Sequence, residues 1–131
     1  MPLDRRLHSV VGVVILLGLA GCGSSYSGAT RIGSGEIRRF DLESDDRTVV
    51  EILNEGPGRV RFTLADPSGA TPAVFTDLTI DESITVDFPF GFRRVLIENL
   101  SAFDVIARYS FESDGEMFVD STRSRPADPD P

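Results

Sequence analysis

The sequence has few of the residues that enzymes most often use for catalysis. Its 131 residues include no lysine, no tryptophan, one cysteine (Cys22) and one histidine (His8). The absence of lysine excludes Schiff-base chemistry on a lysine side chain. Zinc and copper sites normally draw on several histidine or cysteine ligands, so such sites are not expected. The net charge of −8 disfavours nucleic acid, because its phosphates bind clustered basic groups.

The N-terminal segment has the layout of a secretory signal. Arg5 and Arg6 precede an apolar run of eleven residues, 10–20. A helix needs about 20 apolar residues to cross a hydrocarbon core of about 30 Å, so the shorter run is typical of a signal peptide. The run leads into Leu19-Ala20-Gly21-Cys22, and these four residues resemble the lipobox of bacterial lipoproteins. An ordinary signal peptide that is cut elsewhere is the alternative.

The resemblance to bacterial lipoproteins implies how the chain is processed and held. Residues 1–21 would be removed as a signal peptide, and Cys22 would become the first residue and carry acyl chains. Each buried methylene contributes about 0.8 kcal/mol, so two or three chains hold a protein at a membrane almost permanently. The body would then lie outside the cytoplasm. The residue after the cysteine is Gly23 and not the aspartate of inner-membrane lipoproteins, which favours the outer membrane or its periplasmic face in a diderm cell.

Removal of residues 1–21 leaves even fewer catalytic groups. His8, two arginines and one aspartate are lost, so the net charge becomes −9, with twenty acidic side chains against eleven arginines. A histidine-based triad is then excluded, and lipid on Cys22 excludes a thiol nucleophile. Carboxylates, hydroxyls and two tyrosines remain. We expect no cofactor and no enzymatic activity.

Composition divides the remaining chain into three parts. Residues 22–35 hold the lipidated cysteine and a glycine- and serine-rich stretch, which predicts a flexible tether of roughly 20 Å. Residues 36–120 are predicted to form one domain. Residues 121–131 carry three prolines and no aliphatic side chain larger than alanine, so we predict a disordered tail.

The middle segment alternates apolar and polar residues with a period of two, which is typical of half-buried strands. The clearest runs have their apolar positions at 60–64, 84–88 and 103–111, and weaker runs lie at 36–42, 48–53, 73–80, 93–98 and 116–119. A polar turn, 54–58, separates two of them. Seven or eight short strands predict an all-β fold, a small antiparallel β-sandwich of Greek-key type. A small β-barrel is the alternative.

Acidic residues cluster just before one predicted strand. Asp41, Glu43 and Asp45 stand at alternate positions, so an extended chain would place their carboxylates on one face, where they could bind calcium. The spacing lacks the glycine and the distal glutamate of an EF-hand loop. A solvated acidic turn that discourages edge-to-edge pairing explains the pattern equally well. We therefore predict no metal site and keep these three residues as weak calcium candidates.

A run of aromatic residues allows two interpretations. Alternation places Phe88, Phe90 and Phe92 on one side, where they would cap the open end of a sandwich. If they are exposed instead, Phe90 and Phe92 with the adjacent Arg93 and Arg94 would form a partner surface. The first interpretation is favoured, because buried aromatic rings dominate small cores.

These features favour binding or scaffolding over turnover. We expect a membrane-anchored, extracytoplasmic module held by lipid on Cys22 and contacting an envelope protein or a surface polymer. A calcium- or carbohydrate-binding module is one alternative. A minimal hydrolase is another, and it would need two carboxyl groups about 5–10 Å apart in a cleft.

Overall fold

The computed structural model describes residues 14–15, 23–66 and 72–124. Strands dominate this part of the chain. In sequence order they are β1 (Val14–Ile15), β2 (Ser24–Ile32), β3 (Ile37–Ser44), β4 (Thr48–Gly56), β5 (Val60–Ala65), β6 (Pro72–Leu78), β7 (Ser83–Phe88), β8 (Gly91–Asn99), β9 (Val105–Ser113) and β10 (Met117–Ser124).

Nine of these strands form two antiparallel sheets. The larger sheet has the order β10-β3-β8-β5-β6, and the smaller sheet has the order β2-β9-β4-β7. Strand β1 is only two residues long and pairs with the outer edge of β10. The buried apolar residues of both sheets form one cluster, so the sheets are the two layers of a sandwich.

The connections make this sandwich a jelly roll. Four antiparallel pairs are nested in the sequence: β2 with β9, β3 with β8, β4 with β7, and β5 with β6. Successive pairs lie in alternate sheets, which is the arrangement of a ribbon wrapped into two Greek keys. The predicted all-β sandwich of Greek-key type is confirmed, with more strands than the seven or eight predicted. Among the described strands, β2, β7 and β6 are each paired along one edge only, so these two sheets do not form a closed barrel.

The core is built from the period-two pattern that the sequence carries. Val60, Phe62 and Leu64 are at most 1 % exposed, and the side chains between them are half-buried. In β9 the inward positions run from Val105 to Phe111, as predicted. Phe103 was predicted to begin that inward row, but it lies in the preceding loop and is 52 % exposed, because the strand starts at Val105.

The predicted flexible tether is corrected by the structure, since most of residues 22–35 form β2. Its nine residues pair with β9 along their whole length. Ser24, Thr30 and Ile32 face inward, and Gly28 passes so close to Tyr109 that an added Cβ would lie 2.7 Å from its hydroxyl oxygen. An edge strand can be held by main-chain hydrogen bonds with few large apolar side chains. The glycine- and serine-rich composition of this strand therefore led to the wrong prediction of a flexible tether.

The C-terminal boundary also differs from the prediction. Strand β10 continues to Ser124, four residues into the predicted tail that begins at 121, and pairs with β3 throughout. The remainder of that tail, 125–131, lies outside the described residues, as do Cys22 and residues 1–21 apart from β1. Within the described ranges, the structure has no helix long and apolar enough to span a membrane.

Two buried asparagines close the loops at one end of the sandwich. Asn54 donates from Nδ2 to the carbonyl oxygens of Gly58 and Leu78, at 2.8 and 2.9 Å, and accepts at Oδ1 from the Gly56 amide at 2.7 Å. Asn99 repeats the arrangement, donating from Nδ2 to two carbonyl oxygens and accepting at Oδ1 from a backbone amide. Each side chain forms hydrogen bonds with three backbone groups and so helps to satisfy the backbone where the strands end.

Candidate docking surface at one end of the sandwich

One end of the sandwich contains the beginning of β2, and we call it the Ser24 end. Ser24, Ser113, Thr48 and Phe88 lie side by side across the smaller sheet. The turns at 45–47, 89–90 and 114–116 therefore lie together at this end. The opposite end, where β2 finishes, is called the Ile32 end, and it contains the loops closed by the two asparagines.

The start of β2 is held tightly at the Ser24 end. Ser24 donates from Oγ to the carbonyl oxygen of Gly115 at 2.9 Å. Gly23 lies directly against the backbone of Ser113, because a Cβ built on it would overlap the Ser113 carbonyl. The folded body therefore begins one residue after Cys22.

The aromatic run does not lie on one face. Phe88 is 5 % exposed and belongs to the core, whereas Phe90 is 64 % and Phe92 is 50 % exposed. The prediction of three rings capping the core is wrong, because β7 and β8 belong to different sheets and the alternation breaks in the turn between them. Gly91 follows that turn with φ +104°, a conformation that favours glycine.

Arg93 closes the core beside the aromatic turn. Its guanidinium carbon lies 4.7 Å from the centroid of the Phe88 ring, and its Nη1 donates to the carbonyl oxygen of Phe92 at 2.7 Å. The arginine therefore covers the one ring of the run that points inward. Phe90 and Phe92 remain on the surface.

The exposed rings lie beside a shallow groove on the outer face of the larger sheet. Phe118, Glu43 and Phe92 face one another across β10, β3 and β8. Asp120, Asp41 and Arg94 form the next row in the same way. The groove has a volume of about 300 Å³, and its lining consists of Asp41, Glu43, Phe92, Arg93, Arg94, Phe118 and Asp120. Residues from both predicted sets, the calcium candidates and the partner surface, thus meet in one place.

The carboxylate of Asp41 is hydrogen-bonded to two arginines. Arg94 donates from Nε to Oδ1 at 2.8 Å, and Arg39 donates from Nη2 and Nε to Oδ2 at 2.9 and 3.1 Å. Partial burial raises the pKa of Asp41, but the hydrogen bonds from Arg94 and Arg39 outweigh it, so this pKa lies below its ordinary value. The carboxylate is charged at neutral pH, and both of its oxygens are engaged.

The three calcium candidates do not form a ligand set. Glu43 is exposed in the groove, and Asp45 lies at the β3–β4 turn, where Oδ1 accepts from the Glu116 amide at 2.9 Å. Among the residues that the structure describes, no group of three or more acidic, histidine or cysteine residues could hold a metal ion. Asp41 already accepts hydrogen bonds from two guanidinium groups, and calcium would have to displace them.

A carboxylate hydrolase requires a general acid, and two carboxylates of the larger sheet do not fit that role. A general acid of that kind keeps its proton because its pKa is raised. The pKa of Asp41 is lowered instead, and the hydrogen bond from Arg61 lowers the pKa of Asp77 on the same sheet. These two carboxylates act as partners of arginine and not as proton donors.

We expect Asp41→Asn to lower the free energy of unfolding by about 1–2 kcal/mol at pH 7, because it removes charge-assisted hydrogen bonds at a partly exposed site. The folded pKa of Asp41 lies below the unfolded value near 3.8, so this stability is present above that value and is lost as the pH falls through the folded pKa. Urea unfolding from pH 7 to pH 3 should show the variant and the parent converging.

Asp120→Asn is the matched control, since Asp120 lies directly opposite Asp41 on β10. Like charges facing each other across two strands are mildly destabilising, so this change should cost nothing or stabilise slightly. A pH-independent loss in Asp41→Asn would contradict the role given to the carboxylate.

The chain was compared with known proteins. No protein-family model matches it, and no curated protein matches it. Among solved structures, the crystal structure of PirA is similar with a TM-score of 0.53 and 17% identity, over 66% of this chain and 93% of that chain. The similarity to PirA supports the β-sandwich fold and carries no information about activity.

Two further solved structures are less similar. The pre-peptidase C-terminal domain of collagenase from Bacillus anthracis has a TM-score of 0.48 and 18% identity, over 70% of this chain and 90% of that chain. The cupin domain of Schizosaccharomyces pombe Cnp3 has a TM-score of 0.47 and 13% identity, over 79% of this chain and 61% of that chain. Neither similarity indicates a function for this chain.

Proposed function

We propose that this chain is a lipoprotein of the bacterial cell envelope, anchored outside the cytoplasm by acyl chains on Cys22, whose β-sandwich acts as a binding or scaffolding module. The observation that carries the proposal is the position of the lipobox-like sequence. Leu19-Ala20-Gly21-Cys22 is separated from the start of β2 at Ser24 by one residue, Gly23. Cleavage before Cys22 would therefore separate the signal from the domain at the domain's own boundary.

The positions of the core residues in the sequence are consistent with a domain that begins after Cys22. Every buried apolar side chain of the core cluster lies between Ile32 and Val119. Among the described residues, loss of residues 1–21 would remove only β1, which contributes two residues of pairing at the edge of β10. The processed chain would keep the nine strands β2 to β10 of the two sheets.

The groove is consistent with a module that binds a partner without catalysing a reaction. Its carboxylate Asp41 is held by arginines, and exposed aromatic rings lie around it. Exposed aromatic residues rimmed by polar groups are typical of contact surfaces. An envelope protein or a surface polymer with apolar faces, such as a polysaccharide, is the proposed kind of partner.

The anchor is tested by Cys22→Ser. Because acyl chains need the thiol, we expect the variant to leave the membrane fraction and appear in the soluble extracytoplasmic fraction or to accumulate unprocessed. The measurement is fractionation of producing cells, followed by mass spectrometry of the purified protein. The parent should begin at residue 22 and carry the mass of two or three acyl chains.

Ser25→Ala serves as the control, since Ser25 is exposed and lies just beyond the lipobox-like residues. It should fractionate with the parent and carry the same lipid. A Cys22→Ser protein that still pellets with membranes, or a parent that begins at another residue, would refute the anchor.

A further inference from the structure

The distance between the lipid attachment point and the folded body is short. Ser24 is hydrogen-bonded to Gly115, and Gly23 is packed against Ser113, so the body is fixed to within one residue of Cys22. Two residues of extended chain span at most about 7 Å. A flexible tether of 22–35 would have allowed about three times that separation. The Ser24 end therefore cannot move far from the lipid headgroups.

From this geometry we propose that the Ser24 end of the sandwich docks on the lipid surface, with Phe90 inserted among the headgroups. The inference rests on the proposed function, because it requires acyl chains on Cys22. It adds an orientation: the Ser24 end faces the membrane, and the Ile32 end faces away from it.

Phe90 is placed for this contact. Phe90 lies in the β7–β8 turn at the Ser24 end and is 64 % exposed. Phe92 and Phe118 lie one row farther from this end, on the outer face of the larger sheet, where they border the groove. Apolar rings are stabilised about 5–10 Å into the boundary between headgroups and acyl chains.

A weak contact between Phe90 and the lipid is sufficient to orient the body, because the anchor already holds the Ser24 end close to the lipid surface. A short link gives an effective concentration in the millimolar range for the second contact. A lone exposed phenylalanine would not recruit a soluble protein to a membrane. In a body held within about 7 Å of its own lipid, such a ring can determine which way the protein faces.

The charges at the Ser24 end define the kind of lipid surface. Asp45, Asp46, Asp114 and Glu116 lie in its turns, and Arg47 pairs with Asp87 at 3.3 Å and contacts Asp114 at 4.0 Å. Carboxylates outnumber arginines there. A zwitterionic headgroup layer fits this end, and an anionic layer at low salt repels it.

The absence of tryptophan from the chain allows a direct test. Phe90→Trp and Phe103→Trp each introduce a single fluorophore at a comparably exposed ring, at the Ser24 end and in a loop at the Ile32 end respectively. The two ends are separated by the length of β2, about 27 Å. The lipidated proteins are purified from membranes and reconstituted into phosphatidylcholine vesicles with and without brominated acyl chains.

We expect brominated lipid to lower the fluorescence of the Phe90→Trp protein by about twofold or more and to leave that of the Phe103→Trp protein unchanged, because bromine quenches only probes near the acyl chains. Replacing part of the phosphatidylcholine with phosphatidylglycerol should reduce the quenching at low salt, and high salt should restore it. Equal responses of the two variants would overturn the orientation. Quenching of Phe90→Trp that increases with phosphatidylglycerol would overturn the assignment to a zwitterionic surface.

Failure of this inference can be told apart from failure of the anchor. Protein that lacks acyl mass and does not float with vesicles refutes the proposed function itself. Phe90→Trp protein that floats with vesicles but keeps its full fluorescence in brominated lipid refutes only the docking of the Ser24 end. An emission spectrum of Phe90→Trp that shifts in native membranes but not in protein-free vesicles would assign the ring to a protein partner and overturn the lipid contact.

Discussion

Phe62→Ala is expected to lower the free energy of unfolding by about 3–5 kcal/mol, as a large-to-small change in a packed core. Phe62 is fully buried in β5, and its strand is paired on both sides, with β6 and with β8. The surrounding strands cannot close the cavity that the lost ring leaves without breaking the hydrogen bonds between strands. A domain of this size has about 5–15 kcal/mol of total stability, so the variant should unfold at much lower urea concentration.

Phe75→Ala is the matched control for this core truncation. Phe75 lies on the adjacent strand β6, is 59 % exposed, and has the Arg61 guanidinium carbon 5.1 Å from its ring centroid. Losing an exposed cation–π contact costs about 0.5–1 kcal/mol. Both variants remove the same ring atoms. Equal urea midpoints for the two would contradict the inward face assigned to β5.

Asn54→Ala is expected to cost about 2–5 kcal/mol, because it leaves buried backbone groups without their partner. Two carbonyl oxygens, of Gly58 and Leu78, lose a donor, and the Gly56 amide loses an acceptor. Gly56 has φ +81°, so the turn that follows depends on an arrangement that the asparagine holds in place. Thermal unfolding followed by circular dichroism is the measurement.

Asn54→Asp separates hydrogen bonding from side-chain volume. The carboxylate keeps the acceptor for the Gly56 amide but places its second oxygen against two carbonyl oxygens. The folded state therefore favours the protonated form. The destabilisation should be full at neutral pH and should diminish as the pH falls through the raised pKa. Because aspartate has nearly the volume of asparagine, an Asn54→Asp protein as stable as the parent at neutral pH would show that the loss in Asn54→Ala comes from side-chain volume and not from these hydrogen bonds.

The strands of the core could be predicted because their side chains carry the signal themselves. Val60, Phe62 and Leu64 alternate with polar residues, and each is buried as the pattern indicates. Strand β2 carried no such signal, since its inward positions include Ser24 and Thr30. What holds it is pairing with β9, more than seventy residues later in the chain. Local composition cannot indicate that contact.

The candidate surface was predicted only in parts. Phe92, Arg93 and Arg94 were assigned to a partner surface, and Asp41 and Glu43 to weak calcium ligands. The structure places all five around one groove because β3 and β8 are neighbours. The pairing of Asp41 with Arg94 spans 53 residues, so the alternation within either strand could not indicate it. The roles of the two buried asparagines could not be predicted either, since an asparagine at the end of a strand resembles an ordinary turn residue.

The sequence by itself determined the all-β class, the inward faces of most strands and the position of the lipobox-like residues, because each depends on residues close together in the chain. Only the tertiary structure decided that β2 is a strand, that Asp41 is held by arginines and that Phe90 lies at the end where β2 begins. Those features depend on which strands become neighbours. In a jelly roll, most neighbours are distant in sequence, since its pairs are nested from β2 with β9 inward.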